Sequence, residues 1–169
     1  MSESSPTVTL TLLHCLVQNV HACIKLNHIM RILPLPFLEV IPGCPDYLAG
    51  LMNLAGHSIP VIDLSMRLGM YRLKPYALDI PVLLCCEGSQ QVGILVDEVL
   101  GLIAMDESAL QMRNEFAKDD SPFLAIVPVG AELSLCLNLS RIIAFRFTTT
   151  ESDFTVDKHL LHKAKKHHE

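Results

Sequence analysis

The stretch "LMNLAGHSIPVIDL", residues 51–64, sets Asn53, His57 and Asp63 in a mostly apolar run, with Ser58 beside the histidine. Such side chains can supply a nucleophile, a base and an orienting acid. Their spacing argues against that use. Neighbours in an extended segment point to opposite faces, so His57 and Ser58 diverge, and the sequence has no G-x-S-x-G elbow. Asp63 closes an apolar run and precedes "LSMRLG", which is the place of an N-cap before a helical turn. Asn53, whose amide both donates and accepts, suits the backbone groups of a bent hairpin. The stretch reads as a shaped surface, with His57 exposed at its turn, and not as a catalytic centre.

Other chemistry is equally thin. His159 and His162 have helical metal-ligand spacing, with His167 and His168 beyond them, but they lie in a Lys-rich tail, and a zinc site needs three or four ligands with supporting groups. Glycines such as Gly93 stand singly inside strand-like runs, which marks bulges or close backbone approaches and no phosphate loop. Glu39, Asp79, Glu87 and Glu98 are scattered with no pairing visible in the sequence. Cys15, Cys23, Cys44, Cys85, Cys86 and Cys136 form no C-x-x-C pair and sit mostly in apolar runs, as buried reduced thiols do. No catalytic residue, metal or cofactor is expected.

Composition narrows the partners. Half of the 169 residues are hydrophobic and 18% are charged, below the roughly 25% usual for globular domains. Apolar residues are therefore expected to cover some of the surface, as an interaction protein requires. A net charge of −5, no basic block in the body of the chain and no Trp exclude a nucleic-acid binder. "MSESSPT" has neither a basic nor an apolar segment of a signal peptide, and the apolar runs fall short of the roughly 20 residues of a membrane span, so a cytoplasmic protein without membrane insertion is expected.

The elements that must position these residues are short strands. "VTLTLLHCLV" and "VHACIKL" read as a hairpin turning at "QN", and "NHIMRI" as holding a helical turn with Asn27 at its N-cap. Prolines break "PLPFLEVIPGCP", and Pro42-Gly43 is a turn signal. "DYLA" reads as one helical turn stopped by Gly50. "LMNLA" and "SIPVIDL" form a hairpin around Gly56, with Pro60 confined to an edge or bulge. "IPVLLCC", "QQVGILV" and "EVLGLIAM" follow as strands, then "FLAIVPVGAELSLCLNL" as a hairpin at Gly130-Ala131, with "SRIIAFRF" closing the fold. Short strands with frequent turns indicate a barrel or sandwich, and the repeated pattern suggests two lobes, roughly 8–75 and 76–147 with terminal strands open to exchange. Residues 1–7 read as a disordered leader, and 148–169 as a polar tail or a short helix from about Asp157.

Taken whole, "PGCPDYLAGLMNLAGHSIPVIDLSMRLGM" resembles the signature of the CheW family, the coupling proteins of bacterial chemosensory arrays. "VGILVDEVLGL" and "LCLNLSRII" resemble the family's second-lobe segment and closing strand, so the resemblance runs from about Val8 to Phe147. It implies a mainly β fold of two five-stranded, Src-homology-type barrels around a shared core, with short helices. It implies a non-enzymatic adaptor between the cytoplasmic tip of a chemoreceptor and the regulatory domain of a CheA-type histidine kinase, which has the same fold. Pro42, Gly43, Gly56, Pro60 and Asp63 would hold turns, and Ile29, Arg31, Gly50, Asn53, Ala55, Val92 and Leu95 would meet partners. Two positions depart from the family pattern. Ala55 stands where "NLRG" has Arg, and Arg31 where "V-x-E-I" has Glu. One charge is lost and the other reversed, which allows a second reading: a divergent module with non-standard receptors in a surface-sensing, pilus or cyclic-nucleotide pathway.

Overall fold

Runs rich in β-branched and apolar residues, separated by two-residue turns, make hairpins whose faces must be buried on both sides. The computed structural model describes residues 5–118 and 120–144 and shows where those faces go. In chain order the elements are β1 (Thr9–Val17), β2 (Val20–Lys25), β3 (Ile29–Pro34), β4 (Leu48–Leu54), β5 (His57–Asp63), α1 (Leu64–Arg67), β6 (Pro81–Glu87), β7 (Gln90–Leu95), β8 (Glu98–Asp106), β9 (Phe123–Val129), β10 (Glu132–Leu137) and α2 (Leu139–Ile142).

The strands form two five-stranded sheets, β8-β1-β2-β10-β9 and β3-β6-β7-β5-β4. The sheets share one plan. Each takes a hairpin (β1–β2 or β6–β7), adds a second hairpin (β9–β10 or β4–β5) through a parallel contact, and is completed by a strand from the other half of the chain. The sheets therefore do not divide at residue 75. The N-terminal hairpin pairs with C-terminal strands, because β2 runs straight into β3 of the other sheet and β7 straight into β8. Residues 1–4 and 145–169 lie outside the described residues, and with them most of the leader and the whole tail.

Three apolar clusters fill the fold. One sits between the sheets and draws Leu13, Cys15, Val17, Ala22 and Ile24 from the first and Ile62, Leu83, Cys85, Val92 and Ile94 from the second. Each sheet also curls over its own cluster, around Leu12, Cys23 and Val127 in one and Met52, Val61 and Val82 in the other. Fully burying an aliphatic side chain of this kind stabilises by about 1.5–3 kcal/mol, so the shared cluster welds the lobes into one body. Burial pushes the thiols of Cys15 and Cys85 up to about 12 and that of Cys136 to about 11. Cys44 and Cys86 are only partly buried, and all six thiols are free.

Local readings change where a ladder competes with a turn. Asn27 does not cap a helix. It lies inside a 3-10 turn, Leu26–His28, and the chain extends from Ile29 because β6 offers it partners. "DYLA" is not a helical turn, since Leu48 already pairs with Ile62 and one isolated helical turn cannot offset its nucleation cost. The closing segment is helical from Leu139, where Asn138 accepts from the Arg141 amide and ends β10. Pro60 sits opposite Leu51, whose amide and carbonyl bond to Glu39, and β7 pairs only from Val61 onward, so no ladder bond asks for the missing proline hydrogen.

Gly50 is a buried bulge at φ 151°, and a Cβ there would lie 2.6 Å from the Glu39 carbonyl oxygen. Gly43, at φ 78°, faces open space. Gly50→Ala should therefore cost about 2–4 kcal/mol, from the left-handed backbone and overpacking together. Gly43→Ala should cost about 1–2 kcal/mol, from the backbone alone. Urea unfolding of the two variants checks the difference.

Candidate docking surface and the polar hub behind it

Asp63 ends β5 with no exposed surface. Its Oδ1 accepts from the amides of Ser65 (2.9 Å) and Met66 (3.3 Å) and from the Ser65 hydroxyl (2.6 Å), which caps α1. Its Oδ2 accepts from Arg72 Nε at 2.7 Å and from the Tyr76 hydroxyl at 2.8 Å. The Arg72 fork extends the network, with Nη1 donating to Asp97 Oδ1 at 2.9 Å. Asp97 Oδ2 accepts from the Gln18 amide at 2.6 Å, in the β1–β2 turn of the other sheet. One guanidinium thus ties β5, the β7–β8 joint, the β1–β2 turn and the loop that carries Arg72 itself.

The electrostatics follow from this packing. Burial alone would push the Asp63 carboxyl up, but hydrogen bonds from Arg72, Ser65 and Tyr76 overcome it and hold the carboxyl below the usual carboxylate range. Burial disfavours the charged Arg72, yet its bonds to Asp63 and Asp97 hold its proton more tightly than usual. Burial, then the bond to Asp63, keeps Tyr76 protonated well above its ordinary range. All three groups are locked in one protonation state, which suits a structural clamp and not proton transfer.

Further polar links join the lobes. Arg67 donates from Nε and Nη2 to the carbonyls of Ile142 (3.1 Å) and Arg141 (2.9 Å) at the end of α2. Glu87, unpaired in the sequence reading, accepts from the Ser140 hydroxyl at 2.8 Å and lies 3.0 Å from His28 Nδ1. His14 and His21 stack, with ring nitrogens 3.0 Å apart, and burial followed by the neighbouring His21 lowers the pKa of His14. None of Arg72, Tyr76 and Asp97 was singled out from the sequence. Asp97 stood in the "LVDEV" of a motif, but its cation lies 25 residues away on an irregular loop.

Outside this frame lie the surfaces. The expected partner residues separate into groups. Val92 and Leu95 have no accessible surface; they are core, on the two faces of the central strand β7, and no partner can touch them. Gly50 is buried too, and its role is to let residue 39 pair closely. Ile29 is half-buried against the shared core. Arg31 is exposed on the edge strand β3, and a bulge at Met30 shifts the register so that Ile29 opposes Cys85 and Arg31 opposes Leu84, placing them on opposite faces. Met30 and Ile32 on the same edge are exposed apolar residues that the sequence reading did not name. Asn53 and Ala55 belong to the exposed β4–β5 turn at the far end of the same sheet's strand order. There Asn53 Oδ1 accepts from the Gly56 amide at 2.9 Å, and Ala55 takes left-handed backbone at φ 51°. On the other sheet, the edge strand β8 exposes Leu100 and Leu102.

Two five-stranded sheets sharing a core, with apolar edges left open, can be compared with known proteins. The sequence profile of the CheW-like domain matches residues 11–146. The chain belongs to the CheW-like family. It is 29% identical over 97 residues to a probable chemotaxis protein CheW of Rhizobium etli, covering 57% of this chain and 62% of that protein. It is 32% identical over 79 residues to chemotaxis protein CheW of Rhizobium meliloti, covering 47% of this chain and 50% of that protein. The matched stretches thus span about half to two thirds of these relatives. The scaffolding protein TtCheW of Thermoanaerobacter tengcongensis has the same fold, with a TM-score of 0.73 at 20% identity over 82% of this chain and 95% of that one. Among the described residues, no helix is long and apolar enough to cross a membrane.

The hub makes a signed prediction. Removing one partner of a buried ion pair costs about 3–5 kcal/mol, so Arg72→Ala should lower stability by that much near pH 7. In the parent the folded Asp63 pKa lies below the unfolded value of about 3.9, so its stabilisation is full above that pH and is lost as pH falls through the folded value. Without Arg72 the largest opposing bond is gone while those from Ser65 and Tyr76 remain, so the Asp63 pKa rises relative to the parent and the variant should lose less stability on acidification than the parent does. Urea unfolding at several pH values would show parallel profiles if Arg72 did not set the Asp63 charge.

Proposed function

We propose that this chain is a non-enzymatic adaptor that couples chemoreceptors to a CheA-type histidine kinase. The observation that carries this reading is the family match across residues 11–146 joined to the fold of a scaffolding protein. The chemistry supports it: the buried charged groups hold the fold together, whereas the open edge strands expose the apolar Met30 and Ile32 on β3, beside Arg31, and Leu100 and Leu102 on β8. Edge strands offer unpaired backbone groups to a partner, and a kinase regulatory domain of the same fold carries similar edges. In this reading Ile29, Met30, Arg31 and Ile32 form one docking edge, and Asn53 and Ala55 tip a second. The adaptor works in the cytoplasm beneath membrane receptors, without inserting into the membrane or binding nucleic acid.

Signal transfer then works by position. A rigid adaptor fixes kinase and receptor relative to each other, and a shift in the receptor changes which kinase arrangement is populated. Charge at the docking edges selects partners more than it sets raw affinity. Arg31 and Ala55 are the positions where this chain carries a different charge from the family pattern.

Ile32→Asp should weaken binding to the kinase regulatory domain or the receptor tip at least about tenfold, or ~1.4 kcal/mol, with little change in melting temperature, since Ile32 is half exposed. Calorimetry with each partner tests it; full-strength binding to both would place the docking edge elsewhere. Arg31→Glu with Ala55→Arg should improve affinity for a receptor tip of the usual charge pattern, and an unchanged affinity would remove these two positions from partner choice. Ala55 already carries a Cβ in left-handed backbone, so Arg there adds no new backbone strain.

A further inference from the structure

His14 carries an ionisable ring into a face built from apolar side chains. Alternation along β1 sets it on the side of Leu12, in the cluster that Cys23, Val127 and Cys136 complete, and it keeps 8% of its surface. The polar partner it meets there is another histidine. Its Nε2 lies 3.0 Å from His21 Nδ1, and the two rings stack with centroids 5.1 Å apart. Such a contact suits a neutral pair, in which one nitrogen donates and the other accepts, and it suits a pair with one extra proton. It fails when both rings are charged, because two N–H donors then face each other with no acceptor between them.

The strand register shows what else faces the pair. On β2, Cys23 is opposite His14 and Lys25 opposite Leu12. On β8, Glu98 is opposite Leu16, and the residue opposite His14 itself is Gly101, which has no side chain to offer. On β10, Cys136 lies beside Cys23, and Glu132 Oε2 is 4.0 Å from His21 Nε2; β9 brings the apolar Ala125 and Val127. Burial keeps the thiols of Cys23 and Cys136 protonated. His14 also stands at a break in its ladder. Cys15 pairs with Val99 and His14 with Gly101, so Leu100 is an extra residue, a bulge that Gly101 accommodates at φ 145°. β8 is an open edge of its sheet, and Leu100 and Leu102 are exposed on it.

We propose that the His14–His21 pair is an acid-sensitive latch: with at most one extra proton it holds β1 and the bulge of β8 together, and a second proton parts the rings and loosens that edge. The sign follows from the packing. Burial, then the neighbouring His21, lowers the pKa of His14, so the folded protein takes up this proton less readily than the unfolded chain, in which a histidine titrates at about 6.5. The contribution of the pair to stability is therefore complete above about pH 6.5, and it is lost as pH falls from there through the folded His14 value. Acid would thus change how β8 presents Leu100 and Leu102. That consequence for docking rests on reading β8 as a partner edge, whereas the latch itself is read in the protein alone, so the two can fail separately.

Hydrogen exchange of the full chain tests it, with each rate divided by the intrinsic rate at the same pH. Between about pH 7.5 and pH 5 the β8 amides bonded to β1 should speed up at least about threefold, and those of β6 in the other sheet should change less. His14→Gln sets an uncharged amide where Nε2 stood and should remove the step. His21→Asn does the same for Nδ1; it removes the repulsion and leaves the burial, so the step should shrink. In that variant nuclear magnetic resonance should show His14 titrating closer to the ordinary histidine range than in the parent. No step in the parent, or a step of unchanged size in both variants, would overturn the latch. A step shared equally by β6 and β8 would overturn it too, because acid would then act on the whole fold.

Discussion

One guanidinium decides how this protein holds together. Arg72 sits between Asp63 and Asp97, and through them it joins both sheets, a helix cap and an irregular loop. Asp63 has no exposed surface and leans on that cation, since an unpaired buried carboxylate costs several kcal/mol. The ion pair's net contribution to stability is small compared with the cost of breaking it. Its effect is geometric: a loop with little regular structure is given a single backbone path, and the turn of one sheet is registered against the strand end of the other.

That rigidity suits the proposed adaptor, which would act by position. The shared apolar cluster fixes the two sheets face to face, and the hub fixes the joints between them. What remains accessible is the perimeter: β3 and β8 with their apolar side chains, and the β4–β5 turn. A fold built this way presents several faces at fixed angles, and in the proposed role that would set the relative placement of whatever binds them. The crossed chain path serves the same end, because each sheet borrows a strand from the other half and neither lobe can drift without breaking a ladder.

Much of the candidate site was legible in local signals, and the errors have a common cause. Asp63 before "LSMRLG" marks a helix start, and Asn53 before "AG" marks a turn, because capping and turn chemistry act within a few residues. Val92 and Leu95 carry a family motif, which says that the segment matters but not which way it faces; burial on both sides of a central strand made them core. Gly50 after "DYLA" resembles a helix stop, yet it is the close approach of residue 39 that requires a glycine. Whether Ile29 and Arg31 share a face was open in the sequence, and the bulge at Met30 decides it by setting them on opposite faces, since one extra residue flips every side chain beyond it.

The sequence by itself determined the strand and turn pattern, the mainly β class, the scarcity of catalytic or metal-binding motifs and the family to which the chain belongs. Each of these rests on spacing within short windows or on motifs in order. The tertiary structure alone decided which strands share a sheet, which motif residues are core and which are surface, and that Arg72 belongs with Asp63 and Asp97. The reason is physical: sheet pairing and ion-pair partners are set by proximity after folding, across separations such as the 79 residues between Gln18 and Asp97, and such separations leave no periodic trace in the chain.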